Sequence, residues 1–131
     1  MYLLIDGGTT NTRVICSDGK LFSLCAASHV GAGNNAHLAE FVRETLAAHA
    51  SKDTVVIASG MIGSKTGLCE IPHLPAPAGI PELHAGIRKI HLPEISPLAI
   101  HFIPGVKKQA ANADNTDVMR GEETELYGLC E

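Results

Sequence analysis

Tryptophan is absent from this chain, and two tyrosines and three phenylalanines are its only aromatic side chains. Any core it builds must therefore be mostly aliphatic. Positive charge is scarce and scattered: no basic cluster exceeds Lys107-Lys108, or Arg88-Lys89 with His91 nearby, against a formal net charge of −4. That balance argues against nucleic acid or an anionic membrane surface as a partner. Long apolar runs are also missing, since Val55-Val56-Ile57-Ala58 falls far below the roughly 20 residues of a membrane span. The chain opens without the charged and then apolar segments of a secretory signal. Its four cysteines, Cys16, Cys25, Cys69 and Cys130, show no C-x-x-C spacing, which points to a reducing cytoplasm. None of the seven histidines pairs at i, i+4 around a glutamate, so a helical zinc motif is excluded.

What is present fits one globular domain. The chain has 131 residues, of which 45% are apolar and 18% charged, too apolar for disorder. A chain of this length buries roughly two-thirds of the surface its unfolded form exposes.

The first thirteen residues, Met-Tyr-Leu-Leu-Ile-Asp-Gly-Gly-Thr-Thr-Asn-Thr-Arg, hold the densest chemistry. Gly7 and Gly8 allow a tight turn and close approach of a ligand to the backbone. Thr9, Thr10 and Asn11 add hydroxyl, amide and backbone N–H donors suited to phosphate oxygens. Asp6, ending an apolar run, carries the hard oxygen that Mg²⁺ prefers, directly or through its waters. Together they suit the phosphate tail of a magnesium nucleotide. Asp-Gly is also a leading hairpin signal, so a plain turn accounts for the same residues.

Hydrophobic period and punctuation set the order of elements. Tyr2 to Asp6 and Thr12 to Ser17 read as paired strands, and Asp18-Gly19 predicts a hairpin into a third strand over Lys20 to Ser28. Leu38, Phe41, Val42 and Leu46 fall on one helical face, predicting a helix over Ala36 to Ala50 that Asn34 or Asn35 can cap. The β-branched run Thr54 to Ala58 predicts a buried strand, reached by a crossover through that helix. Between Ser59 and Pro81 stand four glycines and four prolines with no lasting period. Because Gly60-Met61-Ile62-Gly63-Ser64 leaves directly from a buried strand, where α/β sheets meet ligands, this long loop is expected to be functional. Glu82 to Ile90 reads as a short helix, Ala99 to Ile103 as a strand stopped by Pro104-Gly105, Gln109 to Thr116 as a mobile turn, and Asp117 to Cys130 as a final amphipathic helix.

The stretches Asp6-Gly-Gly-Thr-Thr-Asn11, Gly60-Met-Ile-Gly-Ser64, Pro75-Ala-Pro-Ala-Gly79, Ile103-Pro-Gly-Val106 and Asp117-Val-Met-Arg-Gly-Glu-Glu-Thr124 resemble, in this order, the 2-dehydro-3-deoxygalactonokinases. The likeness covers almost the whole chain. It implies an α/β fold, one ribonuclease H-like (actin-like ATPase) lobe of the sugar-kinase, hexokinase and actin superfamily. Three antiparallel strands would be followed by helix, strand, long loop, strand and helix in a mixed sheet. It also implies transfer of the γ-phosphoryl of ATP to the terminal hydroxyl of 2-dehydro-3-deoxygalactonate, with Mg²⁺ as cofactor.

Under that resemblance Asp6 would hold the metal, and Gly8, Thr9, Thr10 and Asn11 the phosphates. Gly60, Met61, Gly63 and Ser64 would meet the sugar acid through backbone N–H groups and the Ser64 hydroxyl. Arg13 and Lys65 are the cations for its carboxylate, Arg13 having the better fork; Arg13 also reads as a surface residue on an exposed strand position. Gly121-Glu122-Glu123-Thr124 is similar to the Gly-Asp-Gln-Gln stretch of glycerol-kinase-like enzymes, making Glu122 the first candidate base and Asp117, at the turn into the same helix, the second. A cap and first-turn acids of that helix explain both without catalysis.

Four positions depart from the family pattern: Gly7 and Leu68 stand where tryptophan is common, Lys65 where arginine is, and His73 where tyrosine is. Two lost aromatics imply a roomier sugar-acid pocket. The family is two-lobed, so residues 1–131 are expected to be the N-terminal lobe alone, lacking the nucleotide lobe and inactive without it. A non-catalytic sugar-acid or anion-binding module, an inert fragment pairing with a second copy, and a pantothenate-kinase-like enzyme are the other readings. The last leaves Gly60 to Ser64 and Asp117 to Thr124 unexplained. In the kinase reading the N-terminal turn, the mid-chain glycine bend and the acidic segment converge on one cavity.

Overall fold

Alternation of apolar and small or polar residues makes β1 (Tyr2–Gly7) and β4 (Val55–Gly60) two-faced strands, each with every second residue buried. The structure, a computed structural model, describes residues 1–108 and 117–119. Between those strands lie β2 (Thr12–Ser17), β3 (Phe22–Ser28) and the helix α1 (Asn35–His49). After them come a 3-10 turn (Met61–Gly63), β5 (Leu74–Pro75), α2 (Ile80–Gly86), β6 (Arg88–Ile90), β7 (Ile100–Phe102), β8 (Val106–Lys108) and β9 (Asp117–Met119).

The main sheet has the order β3-β2-β1-β4-β7-β6. β1, β2 and β3 run antiparallel, β4 lies parallel to β1, β7 parallel to β4, and β6 antiparallel to β7. Leu3 and Ile5 of β1, Val14 of β2, Val56 and Ala58 of β4, and Ile100 and Phe102 of β7 pack with Leu38, Val42 and Leu46 of α1 into the core. The mixed α/β arrangement and the aliphatic core are those expected. No helix among the described residues is long and apolar enough to cross a membrane.

The first five elements stand within two residues of their sequence-predicted bounds. At the hairpin, Asp18 Oδ1 accepts from the backbone N–H of both Lys20 and Leu21 at 2.8 Å, and Gly19 takes a φ of 96° that only glycine adopts without strain. Asn34 occupies the cap position of α1, but neither asparagine caps with its side chain. Asn34 Nδ2 lies 2.7 Å from His37 Nδ1, while Asn35 Nδ2 reaches the Gly67 carbonyl, tying the helix start to the loop after β4.

Three expectations are corrected. The helix predicted over Glu82 to Ile90 begins at Ile80, where the Gly79 N–H donates to Glu82 Oε2 at 2.9 Å, and ends at Gly86. A Cβ on Gly86 would meet Leu74 Cδ2 at 2.9 Å and Pro104 Cγ at 3.0 Å, so the chain is crowded there and turns into β6. Within the loop predicted over Ser59 to Pro81, Ser59 and Gly60 continue β4, and Leu74–Pro75 forms β5 against β8. Asp117–Met119 is not the start of a helix but β9, antiparallel to β8 with Asp117 opposite Lys108. Pairing across the chain, invisible to local period, decides all of these. The sulfurs of Cys16 and Cys25, nine residues apart, are joined across β2 and β3. Gln109 to Thr116, and the remainder of the predicted final helix, lie outside the described residues.

Phe102 is fully buried, so Phe102→Ala should lower unfolding stability by about 3–5 kcal/mol, while Leu24→Ser, at a position 62% exposed, should change it by less than about 0.5 kcal/mol; urea titration checks both. The Leu21 and then the Lys20 backbone N–H groups hold the Asp18 carboxyl below its ordinary value. Its stabilising effect is therefore present above the ordinary carboxylate pKa of about 3.9 and fades as pH falls through the lowered folded value. An NMR titration should put Asp18 below that value, and Asp18→Ala should destabilise more at neutral pH than in acid.

Candidate functional site

β1 ends in Asp6-Gly7, and the turn that follows is closed by the Gly8 N–H donating to the Asn11 carbonyl at 2.8 Å. The turn is braced from outside. The Ala32 and Gly33 N–H groups, from the connection between β3 and α1, donate to the Gly8 and Thr9 carbonyls, each at 2.9 Å. A Cβ on Gly31 would come within 2.4 Å of the Gly8 carbonyl oxygen, so only glycine permits this approach. Thr12, buried at the start of β2, donates through Oγ1 to the Val30 carbonyl at 2.7 Å, fixing the same connection from the other side.

Asp6 and Arg13 are direct partners across β1 and β2. Their side chains meet at 2.6 Å, Oδ2 to Nη2, with Asp6 half-buried and Arg13 exposed. Because side chains alternate along a strand, the pair lies on the face opposite Ile5 and Val14, away from the core. It borders a cleft of about 520 Å³ lined by Asp6, Gly8, Asn11, Thr12 and Arg13 on one side and by Ala27, Ser28 and His29 on the other. That volume is in the range of roughly 300–1,000 Å³ typical of small-molecule sites. Across the cleft His29 Nδ1 donates to Asn11 Oδ1 at 2.9 Å, and Asn11 Nδ2 donates to Thr10 Oγ1 at 3.1 Å.

Sequence reasoning missed Ser28 and His29 as lining residues. Their placement follows from Thr12 lying opposite Ser28 in the β2–β3 register, which no local motif reveals.

The second loop leaves beside the first, because Gly60 is the register partner of Gly7. Gly60 has a φ of 92°, and a Cβ there would meet the Gly7 carbonyl oxygen at 2.5 Å. In the 3-10 turn that follows, Ile62 is buried and fills the space beside Gly7, where a Cβ would stand 2.6 Å from Ile62 Cβ. The position of Gly7 therefore opens no void, contrary to the roomier pocket expected from its lack of a side chain. The Ser64 N–H and hydroxyl both donate to the Met61 carbonyl, at 3.0 and 2.6 Å, so the expected donors of Ser64 are engaged within the loop. Leu68 and Ile71 N–H groups donate to the Ile62 and Gly63 carbonyls at 2.9 Å, locking its return. Lys65 is exposed on this loop.

Asp6, Gly8, Asn11 and Arg13 thus share one cleft, with Thr9 and Thr10 exposed on its turn and Gly60 to Ser64 in the neighbouring loop. Asp117 lies in β9 of the small sheet β5-β8-β9. Glu122 lies outside the described residues. Among the described residues no carboxylate joins Asp6 in a three-donor metal group. One carboxylate with hydroxyls nearby fits Mg²⁺, which keeps several waters and commonly takes one or two protein carboxylates plus substrate phosphates.

Residues 6–131 match the family model described as 2-keto-3-deoxy-galactonokinase. The chain is 31% identical over 129 residues to the 2-dehydro-3-deoxygalactonokinase of Escherichia coli (strain K12), covering 97% of this chain and 41% of that protein. It is also similar to the crystal structure of a candidate 2-dehydro-3-deoxygalactonokinase from Sinorhizobium meliloti. There the TM-score is 0.75 at 26% identity, covering 99% of this chain and 43% of the other. The chain thus spans about two-fifths of the length of these relatives.

Gly31→Ala and Gly60→Ala each force a methyl against backbone and should destabilise by about 1–3 kcal/mol, the usual cost of overpacking. Chemical denaturation with amide chemical shifts provides the check: Gly31→Ala should move the signals of residues 8–11, and Gly60→Ala those of residues 7 and 61–64.

Proposed function

The chain belongs to the 2-keto-3-deoxy-galactonokinase family, and on that premise we propose that it forms the sugar-acid-facing lobe of a two-lobed, ATP-dependent kinase acting on 2-dehydro-3-deoxygalactonate. The observation that carries this reading is the cleft at the ends of β1 and β2, which sets the Asp6 carboxylate and the Arg13 guanidinium beside a braced turn of small and hydroxyl residues. The sheet order supports a ribonuclease H-like, actin-like lobe, since three antiparallel strands lead through α1 to a fourth strand parallel to the first.

Phosphoryl transfer asks the protein chiefly for positioning and charge neutralisation. In this reading Asp6 holds Mg²⁺, directly or through water, and Gly8, Thr9, Thr10 and Asn11 cradle the ATP phosphates. When bound, the metal ion neutralises phosphate charge that the protein's own residues would otherwise carry. Arg13 is the counter-charge of Asp6 and a cation lining the cleft. The Arg13 guanidinium would offer its planar fork to the sugar-acid carboxylate. Lys65 is a second cation for that carboxylate, and Gly60, Met61, Gly63 and Ser64 shape the sugar side through their backbone. Glu122, with Asp117 as alternative, orients or deprotonates the terminal hydroxyl, giving the 6-phosphate. The remaining length of the relatives supplies the adenosine-binding lobe, so that both walls of the cleft are needed to exclude water. A reducing, cytoplasmic setting belongs to the same reading.

A second reading, a sugar-acid-binding module without catalysis, rests on the same cleft, whose Arg13 and braced turn suit an anion without any transfer step. The two differ in outcome. Joined to the remaining length of its relatives, the chain turns over under the kinase reading and only binds under the other.

In a steady-state assay with ATP, Mg²⁺ and the sugar acid, residues 1–131 alone should show no measurable turnover; a rate near the usual ~10 s⁻¹ would sink the two-lobe proposal. Calorimetric titration with the sugar acid alone should show binding that Arg13→Ala weakens about 10–100-fold, as expected for a charged hydrogen bond of roughly 1.5–3 kcal/mol. Equal affinity in that variant would remove Arg13 from the substrate site.

A further inference from the structure

At the end of the sheet opposite the cleft, two sulfurs and an imidazole come together. Cys16 of β2 lies opposite Leu3, near the start of β1, three residues back from the Asp6–Arg13 pair and so about 10 Å along the strand. Cys25 lies in β3 where the β2–β3 register slips: Ile15 faces Leu24 but Val14 faces Ala26, leaving Cys25 as the extra residue. A bulge of this kind re-aims a side chain, and here it brings Cys25 to Cys16, with the two Cα atoms 5.9 Å apart and the sulfurs joined. His49, the last residue of α1, completes the group. Its ring nitrogen and the two sulfurs all lie within 4.8 Å of one another, the cysteines half-buried and the histidine exposed.

A disulfide accounts for two of these side chains, and the exposed imidazole of His49 stands beside them as a third donor. Two thiolates and one imidazole are the soft and borderline donors that select Zn²⁺ or its chemical stand-ins over Mg²⁺ and Ca²⁺. The geometry points to a zinc site formed by Cys16, Cys25 and His49 in the reduced chain, with an exchangeable fourth position on the solvent side of His49. It is independent of the kinase reading, since none of its residues lines the cleft. The disulfide is the oxidised alternative of the same pair. A phosphine reductant with one water converts it to two thiols and the phosphine oxide; each thiol then loses its proton on binding, so one Zn²⁺ displaces two protons while His49 binds as the neutral ring. Bound metal would tie the end of α1, which meets the sheet through packing, to the hydrogen-bonded pair β2 and β3.

The test is a titration of the phosphine-reduced 131-residue chain with Zn²⁺ against a chromophoric chelator, and with Co²⁺ as spectroscopic probe. We expect one ion per chain, two protons released, and thiolate-to-cobalt charge-transfer bands with the visible absorption of tetrahedral cobalt. Cys16→Ser should abolish the site, and His49→Ala, a change at an exposed residue that leaves folding intact, should weaken it at least about tenfold. Cys69→Ser, at the free cysteine among the described residues, should leave it unchanged. Failure of the phosphine to release the two thiols, no binding in competition with the chelator, or equal affinity in His49→Ala would each overturn the proposal.

Discussion

How closely two neighbouring backbones approach at Gly7 and Gly60 governs the geometry of the candidate site. These residues are register partners at the ends of parallel strands, and neither tolerates a side chain: one position abuts Ile62 and the other the carbonyl of its partner. Their contact makes the turn after β1 and the 3-10 turn after β4 leave the sheet side by side. The connection after β3 and the first residue of α1 then fix both. Ala32 and Gly33 hold the first turn through its carbonyls, and Asn35 holds the second loop through Gly67. Two loops far apart in sequence are therefore referred to one helix start, which helps the turn that lines the cleft to keep its shape.

The ion pair at the cleft is better understood through chemistry than through stability. An exposed pair of this kind contributes about 0.2–1 kcal/mol, little beside the several kcal/mol that a buried aromatic or aliphatic side chain contributes. Asp6 and Arg13 both sit on the face of the sheet turned away from the core. Their placement as direct cross-strand partners keeps a carboxylate and a guanidinium ready beside the turn at small cost. Each is the ordinary partner of an ion of opposite charge, a divalent cation or a carboxylate, so ligands of both signs suit the same place.

The part of this architecture set by local pattern was legible in the sequence. Short apolar and β-branched runs marked β1, β2 and β4; Asp18-Gly19 marked the hairpin; and Leu38, Val42 and Leu46 marked the buried face of α1. What local pattern could not reveal depends on partners distant in the chain. β5 and β8 are short segments that exist because they pair with each other, and Arg88–Ile90 is a strand rather than the end of a helix because β7 offers an edge. Asp117–Met119, with an acid and two apolar residues, reads equally well as a helix start until β8 is beside it. The same limit hid His29 in the cleft and Cys25 beside Cys16, both placed by strand register. Of the site residues, the turn from Asp6 to Asn11 was visible through its glycines and hydroxyls. Asp6 and Arg13 were assigned separate tasks, and that they face each other emerges only once β1 and β2 are aligned.

The departure at Gly7 shows how such a motif is read differently in three dimensions. From the sequence alone, a glycine where relatives of this family commonly carry tryptophan implies space left empty in a substrate pocket. In the fold that space points to the core side of β1, and Ile62 occupies it. Glycine at position 7 and isoleucine at position 62 are a matched pair: a larger residue at one requires the 3-10 turn carrying the other to move. That turn leads into Ser64, whose N–H and hydroxyl are already spent on Met61, so a shift in Ile62 would be passed along the loop proposed to meet the sugar acid. The buried isoleucine thus sets where the loop beside the cleft leaves the sheet, and the glycine at position 7 leaves no aromatic-sized gap there.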